Sequence, residues 1–524
     1  MIFQDTIEEV DVSASTIIVD CSGGGNYVTI QAAVDAAKPG DTIYVWNGTY
    51  YESVMINKSD IKLIGNSTSA CRIVYHYEGS YGANNGSAGI NVSAADVYIT
   101  GFNISVSGNY TSGIYMDSNS SDSSIINNKI STSGMWCNAI HLKKTSNINL
   151  SGNIINTIGQ WGDGIYLESS IHNNISSNKI ITILRSSDGI IIIESSHNYI
   201  INNTFEILDF GSCILLYQYS SFNIIMNNRV IKANPPETAG FSIGGSYNKL
   251  INNTCKGQGI SINSGLGGVN NLAMSNTFDM LDISGYYNVV TQNKIDIIRI
   301  MNDQSYNNVT QNTAKMIGVG WSSHNNNIIN NKIISNDSLN WGGIILDCPG
   351  PHNNIMNNTI NVSGLAYGGF PKIGIRSSSS FYNNITNNVI NIKSKNASAI
   401  YLKVCSYYNV SHNEINTYYE NQHGIELFQC SNNKLNYNTA RITSNRGYGM
   451  FLERSSSNEI IGNNIITVES ESTGINLFRS SYCTLIDNEI YTDGHLSSGI
   501  FLTESIYHTL IENEVYTGGE YSHG

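Results

Sequence analysis

Short runs of alternating apolar and polar residues return along most of the chain in a fixed register. Around Asn128, for example, an apolar residue stands three positions earlier at Ile125 and another stands two positions later at Ile130. The runs are rich in β-branched residues and are separated by Gly, Asn and Ser, which is typical of short strands and turns. No helical period appears in these segments, so the pattern predicts β-strands.

The repeat keeps one length, about 25 residues, in two long parts of the chain. The first series of repeated Asn residues is Asn128, Asn153, Asn178, Asn203, Asn228 and Asn253. The second series is Asn388, Asn413, Asn438, Asn463, Asn488 and Asn513. A column of glycines has the same spacing, with members Gly164, Gly189, Gly424, Gly449, Gly474 and Gly499.

Strands that recur at this distance without helices between them bury their apolar residues by stacking coil on coil. The sequence therefore predicts an all-β fold, a right-handed parallel β-helix (solenoid) of about 17 coils with about 25 residues in each. A left-handed β-helix would show a subperiod of about six residues, which the sequence lacks. We expect an N-terminal extension and cap over residues 1–65 and the β-helix over 66–524, with irregular coils around 255–345.

The Asn residues of both series are expected at tight bends between strands. Asn tolerates a positive φ better than most residues do, and its amide can bond the Asn one coil above and one coil below. We interpret the two series as an internal structural ladder rather than as a ligand site.

The region 26–65 departs from the repeat. Thr29 is the expected N-cap of a short Ala-rich helix over 31–38, which stops at Pro39-Gly40 and is followed by strands. Such a helix would cover the open end of the first coil. This segment resembles the opening of pectin methylesterases and related pectate-lyase-like proteins.

The Asn-rich coils downstream resemble the right-handed β-helix repeats of archaeal surface proteins of the carbohydrate-binding and sugar-hydrolysis type, among them sheath or surface-layer proteins of methanogens. The resemblances together cover residues 17–524 and imply a β-helix. They imply no activity, because the chain lacks the Asp-Phe-Ile-Phe-Gly-like strand of pectin methylesterases and the paired aspartates of polygalacturonases. The segment Gln422-His423-Gly424 only superficially resembles the Gly-His-Gly motif of polygalacturonases, since Gly424 belongs to the glycine column.

Composition separates the remaining classes of protein. The chain has 73 Asn among 524 residues, is 40% hydrophobic and only 13% charged, so it is not disordered. No apolar run approaches the ~18 residues of a transmembrane span. The first ten residues lack the basic and apolar regions of a signal peptide, so the chain either was clipped before its numbering begins or is cytoplasmic. Its roughly 19 Asn-X-Ser/Thr triplets favour an extracellular or cell-surface location.

Charge is concentrated at the C-terminal end. Residues 451–524 contain eleven carboxylates and two arginines, which give −9 of the net charge of −13. This acidic block argues against nucleic acid as a partner and favours a cation or a basic surface.

Asp163 and Asp188 directly precede two glycines of the column and are one repeat length apart, so we expect them about 5 Å apart on successive coils. Stacked carboxyl groups repel each other unless they bind Ca²⁺, share a proton or face water. Nearby coils add His141, Lys143, Glu168 and Arg185. The pair is therefore a candidate for acid–base catalysis on a uronic-acid chain, for a calcium site, or for a solvated surface pair. No other cofactor is implied.

Two further groups of residues have open interpretations. Cys405 and Cys430 are also one repeat length apart, which suits a disulfide between coils and equally a stack of free thiols. Several Tyr residues stand beside Ser in turns, where they either stack on sugars or protein or are simply tolerated at strand ends. These are Tyr247, Tyr286, Tyr287, Tyr382, Tyr407 and Tyr408.

Three functions are consistent with these observations. The first is a structural protein of the cell envelope, a sheath or surface-layer component that assembles with other copies of itself through coil stacking. The second is a polysaccharide lyase or hydrolase centred on Asp163 and Asp188, and the third is a carbohydrate-binding or adhesive module. The next term of the glycine column is residue 524, so we also expect the last coil to be uncapped, either as part of a longer β-helix or as a site of end-to-end association promoted by divalent cations.

Overall fold

The computed structural model describes residues 14–78, 87–217, 219–233, 239–255, 263–336, 342–365, 369 and 371–524. Over these residues the chain is a parallel β-solenoid of the right-handed type with one short helix and about 19 turns. The predicted fold class is confirmed, whereas the predicted number of about 17 coils is slightly low. The difference arises because several coils are shorter than the regular repeat, such as the coil whose 17 residues separate Asn276 from Asn293.

The chain divides into two compact units. The first unit comprises residues 1–248 and 253–262, and the second comprises 249–252 and 263–524. A regular turn in either unit contains three strands, which pair in parallel with the equivalent strands of neighbouring turns and so form three strand columns.

The first strand column of the first unit consists of Thr16–Val19, Thr42–Val45, Lys62–Gly65, Tyr98–Thr100, Ser124–Ile126, Asn149–Ser151, Asn174–Ser176, Tyr199–Ile201 and Ile224–Met226. Its second column consists of Gly48–Tyr50, Cys71–His76, Asn103–Ser107, Lys129–Ser133, Ile154–Thr157, Lys179–Thr182, Thr204–Ile207, Arg229–Ala233 and Thr254–Cys255. Its third column consists of Val54–Ile56, Ala88–Val92, Ser112–Met116, Asn138–Lys143, Ile165–Glu168, Ile190–Ile193, Ser212–Leu216 and Ala239–Ile243.

The first strand column of the second unit consists of Lys249–Ile251, Leu272–Met274, Val289–Thr291, Asn308–Thr310, Asn327–Ile329, Asn354–Met356, Asn384–Thr386, Asn409–Ser411, Lys434–Asn436, Glu459–Ile461, Thr484–Ile486 and Thr509–Ile511. Its second column consists of Thr313–Ala314, Lys332–Ser335, Thr359–Ser363, Val389–Lys393, Glu414–Thr417, Thr439–Ile442, Asn464–Thr467, Glu489–Thr492 and Glu514–Thr517. Its third column consists of Asn263–Leu266, Met316–Val319, Gly342–Asp347, Ile373–Phe381, Ser398–Ser406, His423–Phe428, Tyr448–Glu453, Thr473–Phe478 and Ile500–Thr503. Thr277–Ile283 and Lys294–Ile300 run through both the second and the third columns.

The N-terminal helix spans Ile30–Ala36, and the Thr29 side chain caps it by accepting a hydrogen bond from the Ala32 N–H. The predicted helix is therefore present, although it ends two residues earlier than expected. The predicted boundary after residue 65 is wrong, because Thr16–Val19, Thr42–Val45 and Lys62–Gly65 already pair in parallel within the first column. Residues 1–13 of the predicted extension lie outside the described residues.

The core lies between the columns and is built from side chains that stack in register. In the second column Ile155, Ile180, Phe205 and Val230 lie above one another and are buried. Since side chains alternate along a strand, the residues between them face outward. Each turn thus adds one layer of apolar side chains to a continuous core.

The two Asn series form a buried ladder of hydrogen bonds that precedes the second strand column. Asn153 Oδ1 accepts from the Asn128 backbone N–H at 2.9 Å, while Asn153 Nδ2 donates to the Ile125 carbonyl at 2.8 Å and to Asn178 Oδ1 at 3.0 Å. The left-handed conformation belongs to the residue before each ladder Asn, such as Asn127 with φ 56° and Asn202 with φ 58°. The expectation that the ladder Asn itself has positive φ is therefore wrong for Asn128 and Asn203, because the chain bends one residue earlier.

The ladder of the second unit also runs through the irregular coils that precede Asn388. Its further members are Asn276, Asn293, Asn312, Asn331 and Asn358, at spacings of 17, 19, 19 and 27 residues, and a spacing of 30 leads on to Asn388. A second buried Asn ladder precedes the first strand column and was not predicted. It comprises Asn173, Asn198, Asn223 and Asn248 in the first unit and Asn271, Asn288, Asn307, Asn326, Asn353, Asn383, Asn433 and Asn458 in the second, where Tyr408 stands between Asn383 and Asn433.

Candidate functional site

A cleft of about 380 Å³ lies on the outer face of the third strand column in the first unit. Its lining includes Asp163, His141 and Glu168, three of the residues that the sequence analysis singled out, together with Tyr115 and Tyr166. We call it the first-unit cleft. Tyr115, His141 and Tyr166 occupy the same register position on three successive strands.

Asp163 is buried at the edge of this cleft and takes part in a short polar stack. The Asp163 N–H donates to Asn138 Oδ1 at 2.9 Å, and Asp163 Oδ1 accepts from the Asp188 N–H at 2.8 Å. Asp188 in turn accepts a hydrogen bond from the Ser212 N–H. The side chains of Asp163 and Asp188 are therefore on successive coils, as their spacing predicts. Each accepts a hydrogen bond from a backbone N–H, as the side chain of a ladder Asn does.

Burial, reinforced by the neighbouring Asp188 carboxyl group, raises the pKa of Asp163 well above its ordinary value of 3.8. Burial also raises the pKa of Asp188. Calcium binding requires ionised carboxylates and about six to eight oxygen ligands, so the raised pKa values oppose it. A calcium site formed by Asp163 and Asp188 stays a prediction, and the raised pKa values of the two carboxyl groups count against it.

We expect Asp163→Asn to raise the melting temperature at pH 7. A carboxyl group whose pKa is raised by folding stabilises the folded state below its unfolded pKa and loses that contribution as the pH rises through its folded pKa. An amide would still accept from the Asp188 N–H without carrying a buried charge. The gain should therefore shrink as the pH falls toward 3.8.

Thermal melting of Asp163→Asn and wild type from pH 3 to pH 8 would measure this. Asp303→Asn, at an exposed position, is the matched control and should change stability less. A gain that is the same at every pH would contradict a raised pKa of the Asp163 carboxyl group.

The cleft lining also holds an ionised carboxylate, that of Glu168. Glu168 lies 3.2 Å from the Lys143 ammonium and 3.5 Å from His141 Nε2, the long limit of a hydrogen bond. The His141 imidazole and then the Lys143 ammonium lower the pKa of Glu168 to about 2. The rings of Tyr115 and Tyr166 pack edge-on against His141 at 5.2 and 4.9 Å between centroids. Burial raises the pKa of Tyr166 to about 12, so its hydroxyl remains a donor at neutral pH.

The first-unit cleft therefore combines a carboxyl group whose pKa is raised, that of Asp163, with one whose pKa is lowered, that of Glu168. Two carboxyl groups whose environments push their pKa values apart are suited to separate acid and base roles. Aromatic side chains beside polar donors and acceptors also suit recognition of a sugar ring. Trp136, which is 47% exposed, adds a further ring to the lining and stacks on Trp161 with centroids 5.2 Å apart.

Sequence reasoning identified Asp163, His141, Lys143 and Glu168 but missed the aromatic residues of the cleft. The signal was the register position that His141 and Tyr166 share, since one repeat length separates them in the sequence. Arg185, which was also a candidate, packs over the Phe210 ring at 5.3 Å and is not part of the cleft lining.

The turns before the first strand column carry aromatic residues in the left-handed conformation. His172, His197, Phe222 and Tyr247 have φ between 57° and 60°, and their rings stack at 4.9–5.2 Å between centroids. In the second unit Tyr382 and Tyr407 stack in the same way at 4.8 Å. Because neighbouring rings cover each other's faces, these Tyr residues present ring edges and hydroxyls to solvent. The interpretation of this flank as a sugar-stacking surface is therefore disfavoured for Tyr247, Tyr382 and Tyr407.

Cys405 and Cys430 lie on successive coils as free thiols rather than as a disulfide. The Cys405 backbone N–H donates to Cys430 Sγ at 3.3 Å, and both residues are buried. Of the two alternatives left open by their spacing, the structure has the stack of free thiols. All nine cysteines of the chain are described, and all are free.

A family model described as periplasmic copper-binding protein (NosD) matches residues 415–520, about a fifth of the chain. Within the described ranges, no group of three or more His, Cys, Asp or Glu side chains converges as a metal site would require. Cys483 and His508 do meet, because the Cys483 N–H donates to His508 Nδ1 at 3.1 Å, but they are only two groups.

Several solved structures are similar to this chain, and no curated protein matches it. A pectin methylesterase in complex with a hexasaccharide is 14% identical, covers 48% of this chain and 91% of its own, and has a TM-score of 0.35. DFA-IIIase from Arthrobacter chlorophenolicus A6 without its lid is 15% identical, covers 60% and 94%, and has a TM-score of 0.41. Pectin methylesterase PemA from Erwinia chrysanthemi is 13% identical, covers 52% and 80%, and has a TM-score of 0.28.

None of the helices in the described part of the chain has the length and apolar character needed to cross a bilayer.

Proposed function

We propose that this protein is an extracellular, carbohydrate-related structural protein, a component of the cell envelope that holds a glycan in the first-unit cleft. The observation that carries the proposal is the grouping of Tyr115 and Tyr166 with His141 and Glu168 on one outer face. Rings supply apolar contact to the C–H faces of a sugar, and the charged groups bond its hydroxyls.

The Asn ladders support the structural part of the proposal. A buried amide at each turn satisfies backbone groups that the bends would otherwise leave without partners, as Asn153 does for Asn128 and Ile125. We expect such a chain to resist unfolding, and only 13% of its residues are charged. The match to a family described as periplasmic supports an extracellular location.

Glycan binding is tested with a panel of acidic and neutral oligosaccharides by isothermal titration calorimetry. We expect Tyr166→Ala and Tyr115→Ala to weaken binding of whichever glycan is retained by at least about tenfold, which corresponds to ~1.4 kcal/mol. Phe222→Ala removes an exposed ring outside the cleft and is the matched control. Retention that is unchanged in both cleft variants would contradict the proposal.

Self-association is the finer part of the proposal and has its own test. Exposed aromatic edges such as those of Tyr382 and Tyr407 offer an uncharged flank for a second copy. Static light scattering at rising protein concentration, with and without Ca²⁺, should give a mass above the monomer value of 57.3 kDa. A constant monomer mass under all conditions would remove the assembly role and leave glycan binding untouched.

A second candidate function is cleavage of the bound glycan, either by elimination, as in a polysaccharide lyase, or by hydrolysis. The observation that favours it is the pair of opposite pKa shifts, raised at Asp163 and lowered to about 2 at Glu168. In that case Asp163 donates a proton and Glu168 accepts one or attacks. New reducing ends or unsaturated products that disappear in Asp163→Asn and Glu168→Gln, while binding persists, would make the protein an enzyme.

A further inference from the structure

A second cleft, of about 430 Å³, lies on the outer face of the third strand column in the second unit. It opens at Gly318, where a Cβ atom would meet only Arg299 Cγ, at 3.7 Å. Arg299, Gly318, Ile345 and Arg376 occupy the same register position on four successive strands. The two arginines are therefore three coils apart, about 14 Å, at opposite ends of the cleft.

The two arginines differ in their partners. Arg299 forms a bidentate ion pair with Asp282, with Nε–Oδ1 at 2.6 Å and Nη2–Oδ2 at 2.7 Å. Arg376 has no carboxylate within ion-pair distance among the residues that the structure describes. Its Nε is fully buried and has no hydrogen-bond partner in the described part of the chain.

A buried guanidinium N–H without an acceptor carries a desolvation cost that a ligand oxygen would remove. The planar guanidinium group matches the two oxygens of a carboxylate. The remaining surface of the cleft is largely apolar, with Met301, Met316 and Ile345 in its lining. Thioether and aliphatic side chains favour an apolar ligand body over a heavily hydroxylated one.

We propose that the second-unit cleft binds a small carboxylate with an apolar body, with the carboxylate on Arg376 and the apolar body on Met316 and Ile345. Asp347 also lines the cleft, and its charge opposes that of the ligand. This site is separate from the first-unit cleft and does not depend on glycan binding there.

The test uses the full chain with phenylacetate as the probe and phenylacetamide as its neutral match. Binding is followed by isothermal titration calorimetry and by saturation-transfer difference NMR. We expect phenylacetate to bind at least about tenfold more tightly than phenylacetamide, and Arg376→Gln to remove that preference. Arg376→Lys should keep part of it, because it retains the charge but loses the planar fork.

Two further variants separate charge from shape. Asp347→Asn should strengthen phenylacetate binding, whereas Gly318→Ile should abolish it by filling the cleft without altering any charge. Gly318→Ala, for which the structure has space, is the control for stability, and melting curves confirm that each variant is folded. Equal binding of phenylacetate and phenylacetamide, unchanged binding in Arg376→Gln, or displacement by equimolar acetate would each overturn the proposal.

Discussion

Replacing Phe205 by alanine is expected to lower the free energy of unfolding by about 3–5 kcal/mol, the largest effect of any single substitution considered. Phe205 is fully buried, and its ring fills the space left by Gly189, which directly precedes the third-column strand Ile190–Ile193 and where a Cβ atom would come within 2.7 Å of Phe205 Cδ1. Alanine would leave a cavity between Ile180 and Val230 that the parallel strands cannot close. Urea denaturation followed by circular dichroism measures the loss.

Phe222→Ala is the matched control, since Phe222 is the same residue type at a position 50% exposed to solvent. It loses ring stacking with His197 and Tyr247, which is worth about 1 kcal/mol, and leaves no internal cavity. If the two variants lost equal stability, the assignment of Phe205 to the core would be wrong.

Asn463→Ala is expected to cost about 1–3 kcal/mol, because several buried groups lose their partners together. Asn463 Oδ1 accepts from the Asn438 backbone N–H at 2.9 Å, and Asn463 Nδ2 donates to the Leu435 carbonyl at 2.7 Å and to Asn488 Oδ1 at 2.9 Å. In the mutant, the Asn438 N–H, the Leu435 carbonyl and the Asn488 amide can bond water only if the chain unfolds locally. Thermal melting and hydrogen exchange at Asn438 would both report the change.

Asn436→Ala is the control for this second prediction. Asn436 stands in the neighbouring strand, outside the ladder, and its Oδ1 is buried without a hydrogen-bond partner in the described residues. Its removal should therefore be close to neutral. If Asn436→Ala lost as much stability as Asn463→Ala, the ladder hydrogen bonds would not be the cause of the loss at Asn463.

The regular coils could be predicted from the sequence because a parallel ladder repeats the same residue at each turn. Asn128 and Asn153 are 25 residues apart, and the same distance relates Asp163 to Asp188 and Cys405 to Cys430. Wherever the turns keep one length, the spacing in sequence gives the neighbour in space. Strand pairing, the two Asn series and the stacking of Asp163 on Asp188 beside the first-unit cleft follow from that single number.

The ladder residues of the irregular coils could not be predicted from the spacing. Their hydrogen bonds require only that each Asn stands at the same place within its turn, and the number of residues from one turn to the next can vary. Asn276, Asn293 and Asn312 are ladder members, yet their spacings of 17 and 19 residues hide them from a search for the regular repeat. Tyr115 was missed for the same reason, since the distance to its register partner His141 is slightly longer than the regular repeat.

The flank of aromatic residues shows a different limit. The sequence places Tyr382 and Tyr407 outside the core but does not state which part of each ring meets solvent. Coils about 4.8 Å apart bring rings at equal positions to stacking distance, so their faces are used within the protein. Composition alone could not reveal that the Tyr residues of this surface expose their ring edges to solvent and not their ring faces.

The variable coil length described above has a consequence for how such a chain can change. Spacings of 17, 19, 27 and 30 residues between ladder members coexist in one uninterrupted set of hydrogen bonds. Insertions and deletions in the turns therefore leave the buried frame intact, whereas a single substitution at Asn331 or Asn358 would not. During evolution such a protein can gain and lose loop residues, which changes its surface, while its buried core stays the same. Peptides inserted at those turns should therefore be tolerated.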